Sequence, residues 1–151
     1  MNRTTAREIA VHMAYALDFS PDLKELVESR TDCDFYSELS DEDPIFAKPP
    51  GDEQCRYIKT LTEGIEHHLP EIDGYIEKYT TGWKFGRLPR VAIAVMRVCI
   101  YEVLYCPDIP KAASINSAID IAKKYEPAQV CSFINGILGT FVRQEVDHLD
   151  K

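Results

Sequence analysis

Apolar positions recur along most of this chain at helical spacing. Ile9, Ala10, Met13, Ala16 and Leu17 fall on one stripe, and Thr5-Ala6-Arg7-Glu8 before them reads as a capping box. Ser20-Pro21 stops that helix and starts a short second one through Leu23, Leu26 and Val27. Asp52 caps a third helix with Ile58, Leu61, Ile65 and Leu69 inward, and Pro70 takes the first position of a fourth with Ile72, Ile76 and Tyr79. Gly82 to Gly86 breaks the pattern, and Pro89 opens a fifth helix. From Val91 to Cys106, 14 of 16 residues are apolar, so this helix is expected at the centre, wrapped by others. Pro107 and Pro110 end it; a sixth helix runs near Ser114 to Tyr125 and a seventh from about Ala128. No segment alternates with period two for long. The expected class is all-α, about seven helices in one domain of 151 residues, with Val95 near the middle of the core.

One stretch departs from this pattern. Residues 31–50 carry six acids, one lysine and three prolines, with no apolar period, and are expected to form a solvated acidic insertion or loop. On that reading a short linker replaces them without harm to the fold. The alternative is that Phe35, Tyr36, Leu39, Ile45 and Phe46 anchor the segment as a cover. The net charge of -8 also belongs to this part of the chain. Residues 21–55 hold three bases against eleven acids, whereas the flanking stretches are each balanced. A global acidic balance therefore does not exclude an anionic partner, because local clusters set the field a ligand meets.

Other classes are excluded more firmly. Arg7, Glu8 and Asp18 interrupt the first 20 residues, so no signal-peptide apolar region is present. Arg97 and Glu102 interrupt the longest apolar stretch, which is shorter than the ~20 residues a bilayer span requires. Five unpaired cysteines (Cys33, Cys55, Cys99, Cys106 and Cys131) suit a reducing cytoplasm and show neither zinc nor redox spacing. His67 and His68 are neighbours, about 100° apart on a helix, and so do not form a metal pair. No nucleophile–histidine–acid order and no glycine-rich phosphate loop stands out. Catalysis, a metal and a cofactor all lack support.

Three features point instead to binding. On the first helix Tyr15 lies away from the apolar stripe, on the side of Arg3 and Arg7. An exposed aromatic beside guanidinium groups is a stacking platform for single-stranded bases. The alternative is that Tyr15 packs on a neighbouring element and the arginines are merely solvated. Between Lys78 and Tyr101 there is no acid, yet Lys78, Lys84, Arg87, Arg90 and Arg97 occur with Trp83 and Phe85 interleaved. That run is either a nucleic-acid or protein-binding edge or a helix corner with its arginines on helix-end carbonyls. In Ser132-Phe133-Ile134-Asn135-Gly136, the glycine sits inside a helical stripe and suggests close helix approach, while Phe133 lies at the stripe's edge.

Four stretches together resemble the NusB family of bacterial transcription antitermination factors. They are Ala6-Arg7-Glu8 with Tyr15; Trp83, Arg87-Leu88, Arg97 and Tyr101-Glu102; Ile115-Asn116, Ala118 and Ala122-Lys123-Lys124-Tyr125; and Phe133-Ile134-Asn135-Gly136-Ile137-Leu138. They stand in the family's order and spacing and span nearly the whole chain apart from residues 21–50. The resemblance implies two small helical subdomains packed across each other, with no catalysis and no cofactor. It implies binding of a short single-stranded boxA RNA together with NusE, a small-subunit ribosomal protein, in a complex that joins RNA polymerase during ribosomal RNA synthesis. Carried over by position, RNA contacts fall on Arg3, Arg7, Tyr15 and Phe133. Substitution of Arg7 or Tyr15 is then expected to weaken RNA binding and to leave stability nearly unchanged.

Three positions depart from the family pattern. The N-terminal arginine run is reduced to Arg3 and Arg7, the acid usual after Ile115-Asn116 is Ser117, and the lysine common before Phe133 is Ser132. Each loss removes a phosphate contact or a helix cap. Two further hypotheses remain at this point. One is a protein-binding or self-associating scaffold, a homodimer among its forms, with weak or no RNA binding. The other is the N-terminal domain of an RNA cytosine methyltransferase, against which stands the lack of room before Lys151 for a cofactor-binding α/β unit.

Overall fold

The computed structural model describes residues 1–19, 22–80 and 84–147. The expectations placed on Ser20-Pro21, Gly82 and Trp83 lie outside these residues. Eight α-helices and no strand occur among the described residues: α1 Arg3–Ala16, α2 Leu23–Thr31, α3 Cys33–Leu39, α4 Asp52–His67, α5 Leu69–Tyr79, α6 Arg90–Tyr105, α7 Lys111–Tyr125 and α8 Ala128–Phe141. The all-α class and the central helix are as expected. Helix α6 is buried without interruption from Ala92 to Glu102, and Val95 is fully enclosed. It packs against α1, α4, α5, α7 and α8. Helices α1 to α4 gather on one side and α5 to α8 on the other, with α1 lying against α6 between them.

Several helix starts differ from the sequence expectation. The cap of α1 is Asn2, whose side chain accepts from the Thr5 N–H at 2.8 Å, so the helix begins two residues before Thr5. Glu8 makes no capping box; it reaches Lys124 and Tyr125 on α7 instead. Asp52 is the first residue of α4 rather than its cap, and with Glu53 it complements the helix dipole. Leu69 opens α5, which places Pro70 in its first turn.

The expected loop at 31–50 is corrected to an ordered cover. It contains α3 and a 3₁₀ turn, Pro44–Phe46. Tyr36 is fully buried and donates to the Arg30 carbonyl at 2.7 Å; Ile45 is buried as well. Phe35, Tyr36 and Phe46 form an edge-packed aromatic cluster with centroids 5.2 to 6.1 Å apart. A seven-residue helix followed by a tight turn is too short to display a period, and its acids face solvent.

One glycine is required by close approach. A Cβ on Gly64 of α4 would lie 2.3 Å from the Tyr101 ring of α6. Gly136 is the reverse: a Cβ there meets nothing within 4 Å, so the close helix approach expected at that position is not made. All five cysteines are free thiols, with Cys99 and Cys131 buried.

Candidate nucleic-acid interface

Helix α1 carries both an interior and an outer face, and the two use charge differently. Arg7, expected on the solvent side, is buried. Its Nε donates to Glu102 Oε1 at 2.8 Å, its Nη2 to Glu102 Oε2 at 3.0 Å and its Nη1 to Ser117 Oγ at 3.1 Å. Glu102 is fully enclosed. Burial, the largest single influence, would lower the Arg7 pKa, but Glu102 and Tyr57 together outweigh it and hold the guanidinium above its ordinary value. The physical reason for the correction is that α1 is enclosed on two sides, by α6 and α4, rather than along one stripe; Val11 is buried with it. Arg97 repeats the arrangement on α6. It bonds Asp73 at 2.9 and 2.8 Å, Asp18 at 3.0 Å and the Ala14 carbonyl at 3.2 Å. Both charges that interrupt the apolar central helix are thus fully paired, as burial requires.

Arg3 lies at the start of α1 and is 37% exposed. Its guanidinium sits 4.0 Å over the Tyr57 ring, and its Nε donates to Gln54 Oε1 at 2.9 Å. Twelve residues separate it from Tyr15, about 18 Å along the helix axis.

Tyr15 is exposed, and so is Phe19, with ring centroids 5.1 Å apart. Beside them the start of α6 lines two cavities. Val91 lines one with Tyr15; Leu88 and Pro89 line another, of about 200 Å³, with Val130 and the half-buried Phe133 of α8. Tyr15 and Phe133 therefore flank one short segment, and Arg87 and Arg90 are exposed on it. Arg90 reaches Asp18 at 3.4 Å, while Arg87 has no ion-pair partner among the described residues. The cationic run therefore divides into one buried arginine, Arg97, which does bond a carbonyl near the end of α1, and four exposed cations, Lys78, Lys84, Arg87 and Arg90. Phe19 and Arg90 carry no motif of their own; the cationic run was the signal that could have found Arg90.

The middle of α1 is tied to α7, and α7 in turn to the cap of the 44–46 turn. Lys124 donates to Glu8 at 2.8 Å and to Asp43 at 3.0 Å, and Tyr125 donates to Glu8. Burial alone would lower the Lys124 pKa; bonding to Glu8 and Asp43 holds it above the ordinary range. The Ile45 N–H and Lys124 hold the Asp43 carboxyl below its own. His12 lies 2.9 Å from the Tyr125 hydroxyl, edge-on to Phe46 and Tyr125, and burial lowers its pKa despite Glu8. His67 and His68 sit at the junction of α4 and α5, where His68 stacks on Tyr105 at 4.2 Å. Among the described residues no group of three or more His, Cys, Asp or Glu is placed to hold a metal, and no helix is long and apolar enough to cross a membrane.

Comparison with known proteins identifies the family. The NusB family model matches residues 4–143. The chain belongs to the NusB family. It is 43% identical over 146 residues to a transcription antitermination protein NusB of Thermoanaerobacter sp. (strain X514), covering 96% of this chain and 93% of the relative. A NusB of Ruminiclostridium cellulolyticum is 37% identical over 138 residues, covering 91% and 86% of the two chains. The solved structure of T. maritima NusB is 26% identical with a TM-score of 0.78, covering 99% of this chain and 96% of that one. A structure of antitermination factors NusB and NusE in complex with double-stranded RNA is 24% identical with a TM-score of 0.73, covering 93% and 96%, and shares the fold. NusB proteins are non-catalytic, and the reading of this chain as no enzyme rests on that membership.

Proposed function

We propose that this chain is a non-catalytic transcription antitermination factor that binds a short single-stranded RNA of the boxA type. It does so together with a NusE-type ribosomal protein, and the assembly acts on RNA polymerase during ribosomal RNA synthesis. The observation that carries the reading is the outer face of α1 and the start of α6: exposed Tyr15 and Phe19, the cations Arg87 and Arg90, and Phe133 beyond them. Aromatic rings supply stacking surfaces and the arginines supply phosphate contacts, the two elements single-strand binding uses. Arg3 is a peripheral contact at the far end of α1. Arg7 is a positioning residue, because its donors are spent on Glu102 and Ser117. Support for the RNA and protein partners comes from family membership and from the relative solved with NusE and RNA.

The test is fluorescence anisotropy with a labelled boxA-type strand and a scrambled control, with and without the organism's NusE-like protein. The expected result is tighter binding of the boxA-type strand, further strengthened by the protein, with affinity falling as salt rises. Equal binding of both strands would remove the sequence preference. No binding under either condition, with a dimer in sedimentation, would favour a self-associating scaffold.

A further inference from the structure

A cavity of about 330 Å³ opens beside Tyr15, between α1, α2, the start of α6 and the end of α7. Its walls are Tyr15 and His12 of α1, Tyr125 of α7, the aliphatic Val11 and Val91, and the side chain of Arg30 from α2. Arg30 is unusual within its surroundings. Residues 21–55 hold eleven acids, yet no carboxylate pairs with it among the described residues. Its guanidinium lies 4.2 Å over the Phe35 ring, its Nη1 donates to Ser29 Oγ at 3.0 Å, and its Nε is buried with no acceptor. A half-buried cation with unused hydrogen-bonding capacity on the wall of an aromatic cavity is incomplete without a ligand.

The chemistry of the walls favours a base over a phosphate. Two tyrosine rings, an imidazole and two valines offer flat and apolar surface. The nearby carboxylates are already neutralised within the fold: Glu8 and Asp43 by Lys124, and Asp18 by Arg97 and Arg90. A phosphate would use the one guanidinium and leave the aromatic and aliphatic walls without a partner. A neutral planar base stacks on the rings, and its carbonyl oxygen accepts from the guanidinium.

We infer that this cavity receives one unstacked base of the bound RNA strand, stacked on Tyr15 with a carbonyl edge toward Arg30. The inference rests on the RNA-binding reading above and adds to it a base pocket contributed by α2. The acidic segment that follows α2 then serves the pocket as well as the core, because its Phe35 fixes the guanidinium that meets the base.

The experiment is an abasic scan of the boxA-type strand against the wild-type chain and Arg30→Met, with the NusE-like protein present. Methionine keeps apolar bulk over Phe35 and removes the donors. One abasic position is expected to weaken wild-type binding about 10-fold, and Arg30→Met to weaken binding of the intact strand by a similar factor. Combining the two is expected to cost little more than either alone. Ala16 of α1 also lines the cavity, so a 2-aminopurine at that position is expected to be quenched by the wild type and not by Ala16→Leu, which fills the space while leaving Arg30 in place. Melting curves confirm that each variant is folded. Full affinity in a folded Arg30→Met variant, or penalties that simply multiply, overturns the pocket and leaves the RNA-binding reading intact. Absence of RNA binding by the wild type overturns both.

Discussion

The two faces of α1 carry the same residue types in opposite settings. On the interior face Arg7 meets Glu102 and, from α6, Arg97 meets Asp73 and Asp18; both arginines are buried, bonded and committed to the fold. On the outer face Tyr15, Phe19, Arg87 and Arg90 remain in water with few internal partners. Aromatic residues divide in the same way: Tyr36 is sealed under the acidic segment, whereas Tyr15 is open. A guanidinium enclosed with its carboxylate is a structural part, because removing one partner strands the other's charge. A guanidinium left in water costs little to keep and is free for a phosphate.

The largest expected effect is on the interior face. Arg7→Ala leaves Glu102 buried without its cation and is expected to cost about 3–5 kcal/mol of stability, read by chemical denaturation. A variant that melts like the wild type would place Arg7 with the outer arginines and erase the contrast. Next, Tyr36→Ala is expected to cost about 3 kcal/mol through lost burial, which the same measurement reads. An unchanged midpoint would return the 31–50 segment to the solvated loop that its composition suggests.

The outer arginines should behave oppositely. Arg87→Ala and Arg90→Ala are each expected to change stability by less than about 0.5 kcal/mol. Each should reduce the slope of log affinity against log salt by about 1. Loss of stability with an unchanged salt slope would assign them to the scaffold. The smallest effect concerns pH. Burial holds the His12 ring below its ordinary value of 6.5, so the unfolded chain binds that proton more readily than the native one. The stability His12 contributes is therefore complete above pH 6.5 and is lost as pH falls through the lower native value. The groups facing the ring are Glu8, Asp43, Arg30, Lys124 and Tyr125, and they are unaltered in His12→Gln. That variant should lose less stability than wild type between pH 7 and the native value, and parallel stability–pH curves would contradict the assignment.

The fold was largely legible from the chain. A helix apolar on all sides has to be central, and α6 is. The terminal residues were read less well, because Asn2, Thr5 and Asp52 are all plausible caps and only geometry chooses among them. Arg7 was misplaced for a physical reason. A helical wheel built from apolar residues finds one stripe, and it does not see that a second face is enclosed by an ion pair. The signal was present in Glu102: a carboxylate inside an apolar helix has to find a cation from elsewhere in the chain. Residues 31–50 were obscured by their charge, because Tyr36 and Ile45 reach inward from elements too short to show a period. At the candidate site, Tyr15 was legible from its angle on α1. Phe133 was legible as an edge residue of its stripe, with a role only through the family resemblance, and His12, Tyr125 and Arg30 come together only in three dimensions.

The most direct measurement compares RNA affinity and melting temperature for Tyr15→Ala, with the NusE-like protein present. Tyr15 is exposed and stands on the outer face, so its ring should serve the ligand rather than the fold. The account predicts a loss of about 1–3 kcal/mol in RNA binding with a melting temperature close to wild type. A variant that melts far below wild type, or one that binds RNA as tightly as wild type, would contradict it.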